Sequence, residues 1–374
     1  LPTLFDGSEY LTGPRADEFE LVLFGPGYGE AVAAHIGDGK WVLIDSCRFP
    51  QRTEPASLQY LEDISAAPDD VVAVIATHWD NDHINGLSSI VRRCENAKFC
   101  MSGALGRDEF IAYVKAYNEP FPGKNKSGVE EIAEVLNELG NSKRTVRRVD
   151  QSTRIFSPED IAMSHCRNFE LWSLSPAQFE VDNFLMWAAG QFPDAASVET
   201  RRVAVRRLNN DLSVALHLTV GGVVVLLGAD LEEEGNPETG WSAALTASGR
   251  PRSKANLFKI PHHGSVTAHH EKVWDGMLEP SPLSIIAPWT IGSAMLPTAD
   301  DVVRIQNHTP HLYVSAAIAG SRPKPRSATV EKMIKAAARS LVSARRSPGM
   351  IRVRSPINSP AVFKVELFGS AASL

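Results

Sequence analysis

The sequence predicts an α/β protein, a four-layer αβ/βα sandwich. Two facing mixed β-sheets carry helices on their outer faces, with a helical insertion over about residues 88–165. Two observations lead there. Apolar runs of strand length alternate with helix-like stretches along the chain, the pattern of sheets covered by helices. Three of those runs end in clusters of histidine and aspartate, which expects the three strand ends to converge at one sheet edge.

The elements follow in order. Glu20–Phe24, Ala31–Ile36 and Trp41–Ile44 are short β-like runs, separated by the turn Gly25-Pro26-Gly27-Tyr28-Gly29 and by Asp38-Gly39, so the chain opens as antiparallel hairpins. A helix is expected over Pro55–Ser65, then the buried strand Val71–Ala76. From about Ser88 to Asn141 the pattern is helical, with Ile132, Val135, Leu136 and Leu139 three or four apart. The strand Phe169–Leu174 stops at Pro176, and residues 177–207 show no clear pattern. Leu212–Val220 and Val223–Leu227 form a hairpin across Gly221-Gly222. Asn256–Ile260, Ser284–Ala287 and His311–Ser315 are further strands. Residues 327–346 read as a basic amphipathic helix with Val330, Ile334, Ala337 and Leu341 on one face, ended by Pro348-Gly349. Ile351–Val353 and Val362–Leu367 are expected as closing strands.

Composition bounds the function classes. A chain of 374 residues that is 43% hydrophobic and 22% charged buries a sizeable core and is not disordered. No apolar run approaches the ~18 residues of a membrane span, and no basic-then-apolar leader is visible, so the expectation is a soluble protein without a membrane partner. Four cysteines, none in a C-x-x-C pair, make no disulfide framework and suit the reducing cytoplasm. The net charge of −6 argues against a chain coated in positive charge. Local basic density exists nonetheless: Arg201-Arg202, Arg206-Arg207, and Ser321–Arg354, where three lysines and seven arginines face the single Glu331. Such density suits phosphate tracking, with Arg339, Arg345 and Arg346 as candidate substrate contacts. Stacking aromatics are missing there, which leaves a solvated helix face or a protein-partner surface as the alternative.

The chemistry sits at the three strand ends. The first cluster is His78, Asp80, Asp82 and His83 in the loop after Val71–Ala76. The second is Asp230 in Leu227-Gly228-Ala229-Asp230, and the third is Pro261-His262-His263-Gly264-Ser265. Imidazole with carboxylate suits zinc, manganese or iron as divalent ions. One histidine or aspartate at a strand end is ordinary turn chemistry, but two of each within six residues, joined by an aspartate and a histidine pair at two further strand ends, is a metal-site pattern.

Thr77-His78-Trp79-Asp80-Asn81-Asp82-His83 resembles the H-x-[HD]-x-D-H motif of metallo-β-lactamase-fold hydrolases. The aspartate in place of the second histidine is similar to the branch that includes the hydrolase domain of the bacterial competence DNA-uptake channel. Leu174-Ser175-Pro176, Leu208-Asn209-Asn210-Asp211-Leu212-Ser213, Leu227-Gly228-Ala229-Asp230 (an L-x-G-D turn with its glycine one position early) and Lys259-Ile260-Pro261-His262-His263-Gly264-Ser265 follow that branch in order and approximate spacing, from about residue 18 to 316. The resemblance implies a hydrolase domain over residues 1–316, with the basic helix and closing strands of 317–374 packed on it. It implies two divalent ions, zinc or manganese with iron as a further option. His78 and Asp80 would serve the first; Asp82, His83 and one or both of His262 and His263 the second; Asp230 would bridge them. Asp45 would orient the histidine loop from behind. Two departures stand out: Leu296 replaces a histidine that many relatives carry before a proline, and the middle histidine ligand has no counterpart, which brings Asn209, Asn210 or Asp211 near the first ion. The implied reaction is hydrolysis by metal-activated water, with Asp82, His262 and His263 as catalytic candidates and a phosphodiester of DNA, RNA or a nucleotide as substrate. The alternatives are a non-catalytic metal-binding or partner-binding module of the same fold, a hydrolase of a small ester or lactone, and a di-iron oxidoreductase, the last disfavoured because no flavin-type domain follows.

Overall fold

The computed structural model describes residues 2–106, 128–190, 210–291, 294–318, 348–359 and 361–374. The basic helix expected over 327–346, with Arg339, Arg345 and Arg346, lies outside these residues, as do Asn209 and the arginine pairs between 201 and 207.

Along the chain the elements are β1 (Glu18–Gly25), β2 (Ala31–His35), β3 (Trp41–Ile44), α1 (Ala56–Asp63), β4 (Val71–Ala76), α2 (Asn81–Ile84), α3 (Leu87–Arg93), β5 (Lys98–Ser102), α4 (Gly128–Asn141), β6 (Val146–Val149), β7 (Thr153–Phe156) and β8 (Phe169–Ser173). Then come α5 (Gln178–Gly190), β9 (Leu216–Val220), β10 (Val223–Leu227), α6 (Gly240–Thr246), β11 (Ala255–Lys259), α7 (Glu271–Met277), β12 (Leu278–Ile286), β13 (Trp289–Ile291), β14 (Ala294–Leu296), α8 (Ala299–Gln306), β15 (Leu312–Val314), β16 (Gly349–Pro356), β17 (Lys364–Gly369) and β18 (Ala372–Ser373).

Two eight-stranded sheets result, in the orders β17-β16-β1-β2-β3-β4-β5-β6 and β18-β15-β12-β11-β10-β9-β8-β7. In the first, β3 to β6 run parallel. In the second, β10, β11, β12 and β15 do. The period-two alternation of each strand divides the core. Leu21, Leu23, Val42, Ile44 and Ile75 of the first sheet meet Leu218, Val225, Leu257 and Ile285 of the second between the sheets. The opposite side chains, Val22, Phe24, Trp41, Leu43 and Val74, pack outward on α1, α3 and α4. Leu226, Phe258 and Ile286 pack outward on α6, α7 and α8. This is the expected αβ/βα sandwich, and both faces of each central strand are buried, which is why Val71–Ala76 is apolar throughout.

The stretch 88–165 differs in one respect from a purely helical insertion. It supplies α3 and α4 to the outer layer, but also β5 and β6 to the first sheet and β7 to the second. Arg144 ties its parts together by donating to the carbonyls of Val91, Cys94 and Ala97 at the end of α3, at 2.7, 3.1 and 2.7 Å. Residues 178–190, which carry no legible pattern, form α5. The described end of the basic segment Ser321–Arg354 is also not a free cationic surface. Arg352 and Arg354 lie on β16, buried against Glu366 and Glu20 at 2.9 and 2.6 Å. The four cysteines are buried and free. Among the described residues no helix is long and apolar enough to cross a membrane.

Candidate metal centre

The parallel strands of both sheets deliver their C-terminal ends to one place, the usual location of ligand sites in sheets of this kind. From the first sheet, β3 leads into Asp45 and β4 into Thr77–His83. From the second, β10 leads into Asp230, β11 into His262-His263 and β12 into Ala287. Asp45, Ala229, His262 and His263 all hold positive φ, between 44° and 60°. Non-glycine residues tolerate this only where neighbours enforce it, and such positions cluster at functional sites. Gly29 is needed for close approach: with φ at +96°, a Cβ there would stand 2.6 Å from the Asp82 carbonyl. The next residue, Glu30, donates its backbone N–H to that carbonyl at 2.8 Å.

Each inward histidine is oriented through Nδ1. His83 donates to Asp45 at 2.8 Å and His263 to the Ala287 carbonyl at 2.9 Å. His78 donates to Thr77 Oγ1 at 3.0 Å, and that hydroxyl passes its own proton to Asp45 at 2.7 Å. With Nδ1 protonated, Nε2 carries the lone pair in all three. Those Nε2 atoms and Asp230 Oδ1 are buried without a hydrogen-bond partner. Burying unpartnered polar atoms costs about 1–3 kcal/mol each. A shared cation satisfies them together.

The spacing fits one. His83 Nε2 is 3.2 Å from Asp230 Oδ1, while His263 Nε2 is 3.6 Å from Asp230 Oδ2 and 3.4 Å from Asp82 Oδ2. Asp230 thus turns one oxygen to each side, the position of a bridging carboxylate. His78, His83 and Asp230 offer ligand atoms within 4.8 Å of one another, and the His78 and His83 rings are 4.2 Å apart. The geometry therefore groups His83 with His78, where the resemblance grouped it with Asp82. Half-buried Asp80 stands at the rim, 3.9 Å from His78 Nε2.

Electrostatics agree with a cation site. Burial alone would raise the carboxyl of Asp82, but the His263 contact and the charges of His83 and His263 hold it at about 2. Asp230 is likewise opposed by burial, yet His83 and His263 keep it well below the usual carboxylate range. Burial depresses His78. Burial acts the same way on His83, but Asp230, Asp45 and Glu30 overrule it and raise its pKa well above the imidazole value. Ionised carboxylates around basic nitrogens invite a divalent ion to replace the protons.

His262 does not join this group. Its Nδ1 turns to Glu232 at 3.0 Å and to Thr267 Oγ1 at 3.2 Å. Burial lowers its pKa, but the Glu232 contact prevails and raises it. Asn210 donates to the same Glu232 at 2.7 Å, and Asp211, next to it, is pushed up to about 7 by burial and by Glu234 and Glu232.

Two residues escaped the sequence reading of the site. Glu30 pairs with buried Lys259, lies 3.5 Å from His263 Nδ1 and 3.9 Å from His83 Nδ1, and so sits behind both rings rather than among their lone pairs. Lys259 also donates to the Ala229 carbonyl at 3.2 Å, bracing the turn that presents Asp230. The one signal was a lysine directly after the buried pair Leu257-Phe258 in a short strand.

The sequence model of the metallo-beta-lactamase superfamily matches residues 25–135, which run from the end of β1 through the His78–His83 loop into α4. No curated protein matches the chain. Among solved structures, the metallo-beta-lactamase fold protein YhfI from Bacillus subtilis is 12% identical with a TM-score of 0.38, covering 82% of this chain and 98% of its own. MEM-A1, a subclass B3 metallo-beta-lactamase from a soil metagenome library, is 12% identical at a TM-score of 0.34, over 68% of this chain and 81% of its own. Zn(2+)-bound PqqB from Methylobacterium extorquens is 13% identical at 0.29, over 62% and 56%. At these identities the likenesses carry nothing about activity. The two helix-covered mixed sheets and the matched segment together give this chain the fold of the metallo-β-lactamase superfamily.

Proposed function

We propose that the protein is a metal-dependent hydrolase that cleaves a phosphodiester with water activated at one or two divalent ions. The observation that carries the metal chemistry is the meeting of three buried, unpartnered Nε2 atoms with Asp230 and Asp82 at the joined ends of two sheets. A divalent ion here, zinc or manganese, would lower the pKa of water from 15.7 to about 7 and polarise the scissile group. His78, His83, Asp230, Asp82 and His263 would hold it, with Asp80 at the rim. Asp45, Thr77 and the Ala287 carbonyl fix the ring orientations, and Glu30 with Lys259 supports them from behind. Asp80, Asp82 and Asp230 balance most of the charge of two ions, so an anionic substrate approaches without strong repulsion. His262, kept basic by Glu232 at the edge of the centre, is placed to donate a proton to a leaving oxygen. The phosphodiester rests on the motif resemblance to the competence-channel hydrolases, and a DNA, RNA or nucleotide substrate follows from it.

The test is turnover of an aryl phosphodiester by protein loaded with zinc or manganese, run beside a chromogenic β-lactam and an aryl ester. Phosphodiester hydrolysis is expected, with Asp82→Ala and Asp230→Ala losing at least about a hundredfold in kcat/KM, roughly 2.7 kcal/mol, together with bound metal. Preference for the ester or the β-lactam would replace the substrate class, and absence of turnover on all three in metal-loaded protein would leave a binding module.

A further inference from the structure

Outside the metal centre, His269, Glu271 and His308 form a second group able to hold an ion, their ligand atoms lying within 4.8 Å of one another. His269 follows a short turn, Val266–Ala268, that begins three residues beyond His263, Glu271 opens α7, and His308 follows α8. His269 Nε2 is 3.0 Å from Glu271 Oε2, and His308 Nε2 is 3.6 Å from the same oxygen. Zinc bonds of about 2.0–2.2 Å in tetrahedral array set ligand atoms about 3.3–3.5 Å apart. The observed separations straddle that value, so small side-chain rotations complete the geometry.

Two imidazoles and one carboxylate are a zinc-type donor set with one position left for water. The rings are held in place: His308 stacks on Trp274 at 4.5 Å and 11°, and the His269 and His308 rings are 5.5 Å apart. Both histidine side chains are largely buried, 17% and 19% exposed, while Glu271 is 66% exposed and keeps the open side toward solvent. The cations nearby are already engaged. Arg304 bonds Asp301 and the Gly264 carbonyl, each at 2.7 Å, and His270 accepts the Lys272 backbone N–H rather than facing the group.

We propose that His269, Glu271 and His308 bind a divalent ion of the zinc class, distinct from the hydrolytic centre, which staples the loop carrying His262 and His263 to the end of α8. The loop is already tied to α8 by the hydrogen bond from Arg304 to the Gly264 carbonyl. An ion adds a second attachment five residues further along, so that the segment leading out of His263 is held at both ends, at Gly264 and at His269. The role is structural, and it holds whether or not the main centre is hydrolytic.

The experiment measures zinc bound per chain by equilibrium dialysis of chelator-stripped protein against zinc alone, for wild type, Glu271→Gln, His308→Ala and a variant with the main centre disabled by Asp82→Ala and His83→Ala. Glu271→Gln is the informative change, since the exposed carboxylate can be neutralised without disturbing packing, whereas His308→Ala also removes a ring from Trp274. Wild type is expected to bind one equivalent more than Glu271→Gln or His308→Ala. The main-centre variant should retain that equivalent and lose it when Glu271→Gln is added. Zinc should raise the melting temperature of the main-centre variant and leave that of its Glu271→Gln derivative unchanged. Equal stoichiometry in wild type and Glu271→Gln, or no zinc retained by the main-centre variant, would overturn the proposal. Loss of phosphodiesterase activity with this equivalent intact would bear only on the hydrolase reading.

Discussion

Lys259 is 1% exposed on a strand otherwise made of Ala255, Asn256, Leu257 and Phe258, and its charge is answered by Glu30 from the turn between β1 and β2. Removing one partner of such a pair leaves an uncompensated buried charge at a cost of about 3–5 kcal/mol, whereas replacing both is often neutral. Lys259→Met is therefore expected to lose that much stability in urea denaturation. Glu30→Gln combined with Lys259→Met should recover more than half of the loss. A double variant as unstable as the single one would show that the lysine acts by bracing Ala229 alone. Residue-level legibility follows the same logic. His78, Asp82, His83, Asp230 and His263 were readable because each follows an apolar run, where a polar cluster has no packing purpose. Glu30 was not, since its role depends on a lysine more than two hundred residues away. The choice between His262 and His263 was invisible because it depends on backbone dihedrals and on Glu232 and Ala287, which no local pattern joins.

At the scale of elements, α5 shows why a helix can hide. Its apolar residues spread around the axis, with Val181 and Phe184 buried while Phe179 and Met186 are 40% and 67% exposed, so no single stripe appears. β5 hid for a different reason, being a short buried strand between two helices in a stretch whose overall period is helical. The N-terminus of α5 is fixed by Glu180, which accepts the N–H groups of Ala177 and Gly240 at 2.7 and 2.9 Å and so ties α5 to α6. Burial outweighs those bonds and raises Glu180 to about 7; Asp211, just before β9, is raised to about 7 by burial and by Glu234 and Glu232. A folded carboxyl that keeps its proton to about pH 7, while its unfolded counterpart releases it near 4, favours the folded state below that window. Stability therefore falls as pH rises from about 4 to about 7. Asp211→Asn, which mimics the neutral acid, should stabilise the metal-free protein at pH 8 by on the order of 4 kcal/mol and have little effect at pH 4. An equal gain at both pH values would assign the effect to packing instead of ionisation.

Over the whole molecule, the two sheets are joined by their inner core and by a C-terminal tail whose β16 and β17 extend the first sheet while β18 extends the second, and they meet again at the candidate metal centre. The closing strands were legible as strands, but their partners were not, because β16 pairs with β1 across more than three hundred residues of chain. The centre draws His78, Asp82 and His83 from the first sheet and Asp230 and His263 from the second, so an ion held there binds a set of groups that exists only when both sheets are in place. Such an ion stabilises the folded state by mass action, by about 2.7 kcal/mol at a free concentration one hundredfold above its dissociation constant. Stripping the protein with a chelator should therefore lower the melting temperature of the entire chain in one cooperative step, and restoring zinc or manganese should raise it again. Substituting Asp230→Ala removes the carboxylate that faces both sides and should abolish most of that dependence, while Glu271→Gln should leave the larger part of it intact. If wild-type protein shown to carry metal at this centre melted at the same temperature before and after stripping, the centre would not join the sheets, and the convergence of their strand ends would serve the chemistry alone.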